Sequence, residues 1–181
     1  SVLSRGLGDV YKRQAIAVSQ VFLNTNMAAA GGVVAAIITS LVLTGKMDVT
    51  MAMNGAIAGL VSITASPSAP SAGIALLIGA AGGALVYFSI LYFDKRLKLD
   101  DPVGAISAHG IVGILGVMVV PFTSDASFIW QAIGVISISG FSFFASLGTI
   151  LLINNFMPIR ASDEEHCLLY TSPSPRDNTL S

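Results

Sequence analysis

The stretch that decides the fold runs from residue 100 to residue 116 and reads DDPVGAISAHGIVGILG. Two carboxylates and a proline open it, a composition typical of a helix start, and no Asp, Glu, Lys or Arg follows until Asp125. An apolar run of this length is typical of a helix that crosses a lipid bilayer. The stretch therefore predicts a membrane-spanning helix with His109 about two turns, or ~10 Å, inside its start.

The composition of the whole chain is also that of a membrane protein. Charged residues make up 10% of the 181 residues, whereas a soluble domain carries about 25%, and the mean hydropathy is +0.79. A net charge of −1 argues against a nucleic-acid partner. The single cysteine, Cys167, excludes an intrachain disulfide framework, and we expect neither a metal site nor a cofactor. No catalytic triad, phosphate-binding loop or carboxylate pair is visible, so we do not expect an enzyme.

The two charged ends of the chain differ from its apolar body. Asp9 to Gln14 can be encoded by GAT GTG TAT AAG AGA CAG, and the reverse complement of that DNA, read one base along and completed with a final T, encodes Cys167 to Ser172. Complementary readings of one oligonucleotide are typical of a transposon-type sequencing adapter. We therefore expect residues 1–14 and 167–181 to be non-native tails. Residues 15–166 would then be a fragment of a longer protein.

The apolar body divides into five spans. Lys46 and Asp48 form a short charged break after the first span, and two prolines, Pro67 and Pro70, end the second. The predicted helices occupy about 15–44, 49–65, 73–94, 102–121 and 127–157. The fifth, at ~45 Å, must tilt strongly or extend beyond the bilayer. The expected fold class is all-α, a polytopic membrane helix bundle.

The charges of the connections predict the orientation of this bundle. Positive residues follow only the first, third and fifth spans: Lys46, Lys95, Arg96, Lys98 and Arg160. The other two connections contain no Lys or Arg. The positive-inside rule therefore places the charged connections and the C-terminus in the cytoplasm. The pairs Gly55-x-x-x-Gly59 and Gly79-x-x-x-Gly83 have the spacing that allows close backbone contact between helices in lipid.

His109 is the strongest candidate for a functional side chain. An ionisable group at this depth is costly and normally faces a bundle interior or a cavity. Neutral imidazole has one donor and one acceptor nitrogen, so it can hold a small polar solute or pass a proton. A purely structural hydrogen bond to a neighbouring helix is equally compatible with composition alone. Gly110, Gly113 and Gly116 allow close packing beside the ring and fit both interpretations.

Other polar residues in the spans are weaker candidates. Asn24, Thr25 and Asn26 interrupt the first span, where interhelical hydrogen bonding is favoured over lining a cavity. Asn54 and Thr64 bound the polar content of the second span. The hydroxyl of Thr64 would either meet solute where the helix breaks or cap the helix. Asp101 is expected to cap a helix N-terminus rather than to carry protons.

Several of these residues together resemble a known family. Residues 54–64 read NGAIAGLVSIT, Asp100-Asp101-Pro102 follows, and His109-Gly110-x-x-Gly113-x-x-Gly116 comes next. In order and spacing they resemble the ammonium transporter (Amt/Mep/Rh) family, and the aspartate pair favours its bacterial Amt branch. The resemblance covers about residues 15–166.

The resemblance implies a fold of eleven helices, a homotrimer, and one pore in each subunit. Ammonium would lose a proton at an outer vestibule and cross a hydrophobic pore lined by two histidines. His109 matches the second histidine of that pair and Thr64 a hydroxyl near the pore. This chain would correspond to about helices seven to eleven, so the first histidine and the phenylalanine gate are missing and the fragment should be inactive alone. The resemblance further implies a bacterial inner membrane and a possible PII-type regulator at the cytoplasmic tail.

Two other hypotheses remain open at this point. The parent protein could be an ammonium sensor, in which the membrane domain drives a signalling domain downstream of the acidic tail. It could also be an unrelated channel bundle in which His109 is purely structural.

Overall fold

The computed structural model describes residues 2–68, 70–99, 101, 103–157 and 159, and every regular element among them is helical. The elements are α1 (Val2–Thr44), α2 (Val49–Ile63), α3 (Ala72–Tyr92), a π-helical turn π1 (Phe93–Leu97), a second π-helical segment π2 (Ile106–Ile111), α4 (Val112–Thr123) and α5 (Phe128–Phe156). The chain forms two compact units, which divide after Ile136. The first unit contains α1 to α4 and the beginning of α5, and the second contains the rest of α5.

Among the described residues, four helical stretches are long and apolar enough to cross a membrane: Val10–Thr44 in α1, Ala72–Leu97 (α3 with π1), Ile106–Thr123 (π2 with α4) and Phe128–Phe156 (α5). The protein is an integral membrane protein. The exception is α2, which is apolar but has only 15 residues. Helix α5 has 29 residues, the length expected from the sequence, and none of them is buried. Helix α4 continues two residues beyond Pro121, and the hydroxyls of Thr123 and Ser124 donate hydrogen bonds to the Val120 carbonyl at its end.

The first helix begins at Val2, earlier than the start near residue 15 that the sequence indicates. An existing helix extends at little cost because each added residue brings one hydrogen bond without a new nucleus. A helical backbone carries no information on where this segment came from, so the non-native origin of residues 1–14 stays a prediction. The C-terminal tail, 167–181, and the acidic segment Asp163 to Glu165 lie outside the described residues, as does Pro102.

The helices of the first unit meet through backbone rather than through large side chains. A Cβ added to Gly79 or Gly59 would lie under 3.0 Å from the carbonyl oxygen of Ala28, and one added to Gly83 would meet the carbonyl of Gly32. Both Gly-x-x-x-Gly pairs therefore lie at helix contacts, as the sequence predicts. The buried hydrophobic clusters correspondingly contain many small side chains. One consists of Ala28, Ile63, Ala75 and Ile78, and the other of Ala58, Val86, Ala108 and Val112.

The order of these contacts gives the direction of each helix. Along α1, Ala28 meets Gly79 and Gly32 meets Gly83, so α1 and α3 run parallel. Gly32 also meets Gly55 while Ala28 meets Gly59, so α2 runs antiparallel to both. Consequently the α1–α2 connection and π1 lie at one end of the bundle, and the α2–α3 connection lies at the other. We call the first of these the basic end, because it carries Lys46 and Lys95, and the second the outer end.

The close glycine contacts generate a prediction for stability. Replacing Gly79 by Ala places a methyl group against the Ala28 backbone, and we expect the melting temperature in detergent to fall by about 3–10 °C. The matched control is Gly73→Ala on the same helix, where an added Cβ has open space; it should be neutral or stabilising because alanine favours the helix. Equal melting temperatures for the two variants would contradict the proposed contact.

Candidate functional site

The turn before π2 determines where His109 lies. Gly104 has φ of 66°, a left-handed conformation that L side chains rarely adopt, so a helix cannot run unbroken from residue 102. The helical segment begins instead at Ile106. A Cβ on Gly104 would also lie 3.1 Å from the Asn54 side-chain oxygen, so the turn is pressed against α2.

Asp101 binds the beginning of π2 through two backbone hydrogen bonds. Its carboxylate oxygens accept from the N–H groups of Ile106 at 3.2 Å and Ser107 at 3.1 Å. These are donors that a helix start leaves without an intrahelical partner, so Asp101 occupies the position of an N-terminal cap. Burial acts to raise the pKa of Asp101, but the hydrogen bonds from Ser107 and Ile106 outweigh burial and hold the pKa below its ordinary value.

The segment π2 has one covered face and one open face. Ser107 is 0% exposed and Ala108 1% exposed, with Ala108 in the cluster formed by Ala58, Val86 and Val112. His109 and Gly110, in contrast, are exposed. The buried face therefore fixes the segment to α2 and α3 and turns the imidazole to the uncovered side. π-Helical turns inside helices occur frequently at functional sites.

Contacts along α4 give the depth of His109 in the bundle. Gly104 lies beside Asn54, Gly113 lies 3.9 Å from the Val61 side chain as measured from an added Cβ, and Gly116 meets Ser62. The segment therefore runs parallel to α2, and His109 is level with the middle of that helix. Gly113 and Gly116 are helix-contact residues, whereas a Cβ added to Gly110 would contact a side chain of its own segment, Ile106, at 3.9 Å.

Thr64 caps the outer end of α2. Its backbone N–H and its hydroxyl both donate to the Val61 carbonyl, at 3.2 Å and 2.8 Å. The residue is exposed and ends a stripe of exposed side chains on one face of α2: Met53, Ile57, Leu60 and Thr64. About six residues separate Thr64 from the level of His109, which is ~9 Å along the axis. Asn54, by contrast, is buried at the basic end of the helix.

Three polar features were not identified from the sequence. Gln20 binds the α2–α3 connection together with Asn24. The sequence signal for this pair is their spacing of four residues, which places them on one face of α1. The π-helical form of π2 was also missed, although a glycine five residues before the histidine signals a break. Ser89 and Ser107 are buried, and their hydroxyls have no hydrogen-bond partner within the part of the chain that the structure describes.

Comparison with known proteins agrees with the sequence resemblance. The model of the Ammonium Transporter Family matches residues 7–168. The chain belongs to the ammonium transporter family. It is 31% identical over 163 residues to the ammonium transporter of Bacillus subtilis, covering 81% of this chain and 40% of that protein. It is 37% identical over 121 residues to ammonium transporter Amt2 of Archaeoglobus fulgidus, covering 67% of this chain and 26% of that protein.

Solved structures of the family share the fold. A structure described as a sensor Amt protein superposes with a TM-score of 0.77 at 32% sequence identity, over 83% of this chain and 40% of that one. Mep2 of Candida albicans superposes with a TM-score of 0.73 at 22% identity, over 81% and 37%. The chain thus spans about 40% of the length of the Bacillus transporter and of the sensor Amt protein.

The cap formed by Asp101 generates a prediction of pH dependence. Because folding lowers the pKa of Asp101, its ionised form stabilises the folded chain above the ordinary aspartate pKa of about 3.9. This contribution is lost as the pH falls through the lower pKa of the folded state. We expect Asp101→Asn to lower the melting temperature near neutral pH and to flatten its decline as the pH falls below about 4.

The control for this experiment is Asp125→Asn, which removes an exposed carboxylate in the α4–α5 connection and should preserve the wild-type decline. Melting curves that fall in parallel for the wild type and Asp101→Asn would rule out a stabilising ionised cap.

Proposed function

We propose that this chain is the C-terminal part, about helices seven to eleven, of a membrane protein that conducts ammonium or ammonia. His109 is the second histidine of its pore pair. The observation that carries the proposal is the position of His109, at mid-depth on the open face of π2, in a chain that matches the family over residues 7–168.

The uncovered imidazole is the physical reason for placing a pore here. A polar ring halfway along a membrane span is costly against acyl chains, so such groups face protein or a water-filled cavity. The helices of this chain cover the Ser107 side of π2 and leave the His109 side exposed. The chain covers 40% of its Bacillus relative, and the remaining 60% supplies the helices that close the other wall of the pore. The first histidine and the phenylalanine gate lie on those helices, so the fragment does not transport alone.

The pore follows the exposed stripe of α2. Thr64 lies at its outer mouth, with hydroxyl lone pairs free to accept from an entering ammonium ion. Ammonium transfers a proton to water at this mouth, and ammonia passes His109 about 9 Å deeper, where an imidazole with one N–H and one unprotonated nitrogen can both donate to and accept from it. Two apolar side chains of the stripe, Leu60 between the two and Ile57 level with His109, exclude hydrated ions. Asn54, Gly110 and Gly113 support this wall rather than bind solute.

The parent protein is a homotrimer in a bacterial inner membrane in this proposal. The basic end, with Lys46, Lys95, Arg96 and Lys98, faces the cytoplasm, so the C-terminus is cytoplasmic. A PII-type regulator would reach the tail from that side.

A sensing role is the second candidate, and one observation favours it. The structure at TM-score 0.77 and 32% identity is described as a sensor Amt protein. Sequencing the gene beyond Glu165 separates the two functions. A kinase or cyclase domain downstream would support sensing, and a stop codon soon after the acidic tail would exclude a sensor built in this way.

The role of His109 is tested in the full-length protein encoded by the complete gene. We expect His109→Ala to abolish selective methylammonium uptake in vesicles, because the ring is the polar group that receives the solute at mid-membrane. His166→Ala, which changes the other histidine of this chain, is the control and should retain uptake. Selective uptake at the wild-type rate by a folded His109→Ala protein would refute the proposal.

A further inference from the structure

Asn24 connects two parts of the chain that are far apart in sequence. It lies in the middle of α1 and is 1% exposed. Its side-chain amide donates to the carbonyl of Pro67 at 2.9 Å and to that of Pro70 at 2.8 Å. An amide nitrogen carries two hydrogens, so one Nδ2 atom serves both carbonyls.

These bonds belong to a larger contact between α1 and the outer end of the bundle. One helical turn before Asn24, Gln20 donates to the carbonyl of Ser68 at 3.0 Å. Three carbonyls of the α2–α3 connection therefore accept from one stripe of α1. Non-helical backbone in a membrane protein is tolerated only where its polar groups find partners, and here the partners come from side chains of another helix.

The neighbouring polar residues of α1 do not take part. Thr25 donates to the Val21 carbonyl and Asn26 donates to the Phe22 carbonyl, both four residues earlier on the same helix. The contact with the connection is thus a property of individual positions and not of polarity in this part of α1.

We infer that Asn24 is a positioning residue, which holds the α2–α3 connection against α1 and thereby fixes Thr64 at the outer mouth of the pore. Thr64 precedes Pro67 by three residues, and its hydroxyl is already directed by the bond to Val61. When the connection is released, the last turn of α2 frays and the hydroxyl leaves its place. The effect on transport rests on the proposed function, whereas the contact itself does not.

The contact is tested first on the 181-residue chain in detergent micelles. Ser66, half-buried in the connection, is replaced by Cys in a Cys167→Ser background, and its rate of labelling by a maleimide is measured. We expect Asn24→Leu to raise this rate roughly tenfold, since two hydrogen bonds are lost. Asn26→Leu is the matched control and should leave the rate unchanged.

A second variant guards against misfolding. Gln20→Leu removes one bond from an exposed position and should give a smaller increase in labelling with an unchanged fold. Labelling at the control rate in both the Asn24 and the Gln20 variants would overturn the contact.

The positioning role is tested in the full-length protein by methylammonium uptake. We expect Asn24→Leu to raise KM several-fold with little change in kcat, and we expect the same of Thr64→Val. The double variant should match Thr64→Val, because both substitutions act through one hydroxyl. If the KM increases of the two single variants multiply in the double variant, the positioning role of Asn24 is overturned. A wild-type KM for Thr64→Val would also overturn it, without touching the result for His109 on which the proposed function depends.

Discussion

Close approach of backbones is the constraint on which the rest of this structure depends. In lipid there is no hydrophobic gain from burying apolar side chains, so helix association relies on packing and on hydrogen bonds. Here the carbonyl of Ala28 accommodates both Gly59 and Gly79, and the carbonyl of Gly32 faces Gly83. Three helices consequently meet with almost no side chain between them. This rigid core fixes the outer and the basic ends, and every polar feature of the site is placed relative to it.

A second constraint is that backbone N–H and carbonyl groups at the bundle ends need hydrogen-bond partners. Each end is held by a polar side chain: Asp48 caps α2, Asp101 binds the start of π2, and Asn24 binds the outer connection. The two aspartates accept from N–H groups and the asparagine donates to carbonyls, which matches the charge that each backbone end presents. Ionisable caps occur where the sequence is charged, and a neutral amide is used within the uncharged span.

The fold could be read from the sequence because its signals are local. Uncharged runs, prolines and the alternation of Lys and Arg between connections depend on neighbouring residues only, and they predict five apolar helices close to those observed. The beginning of π2 could not be predicted from the same rules, because Pro102 favours an early helical position while the left-handed Gly104 shifts the start to Ile106. The partners of Asn24 were equally inaccessible. They lie 43 and 46 residues away in sequence, and only the packing of α1 on α2 and α3 brings them together.

The site shows the same division between local and distant information. The residue types around His109 indicate a family, but the exposure of its ring depends on which helices are present. A pore-lining histidine would lie on the open face of this bundle if part of the pore wall belonged to helices outside the chain. The buried face of π2 makes this interpretation specific. Ser107 and Ala108 are buried, and Ala108 packs with Ala58 of α2 and Val86 of α3, which holds His109 on the opposite, open side of the segment. In the proposed function, this open side is where the helices that complete the pore would pack.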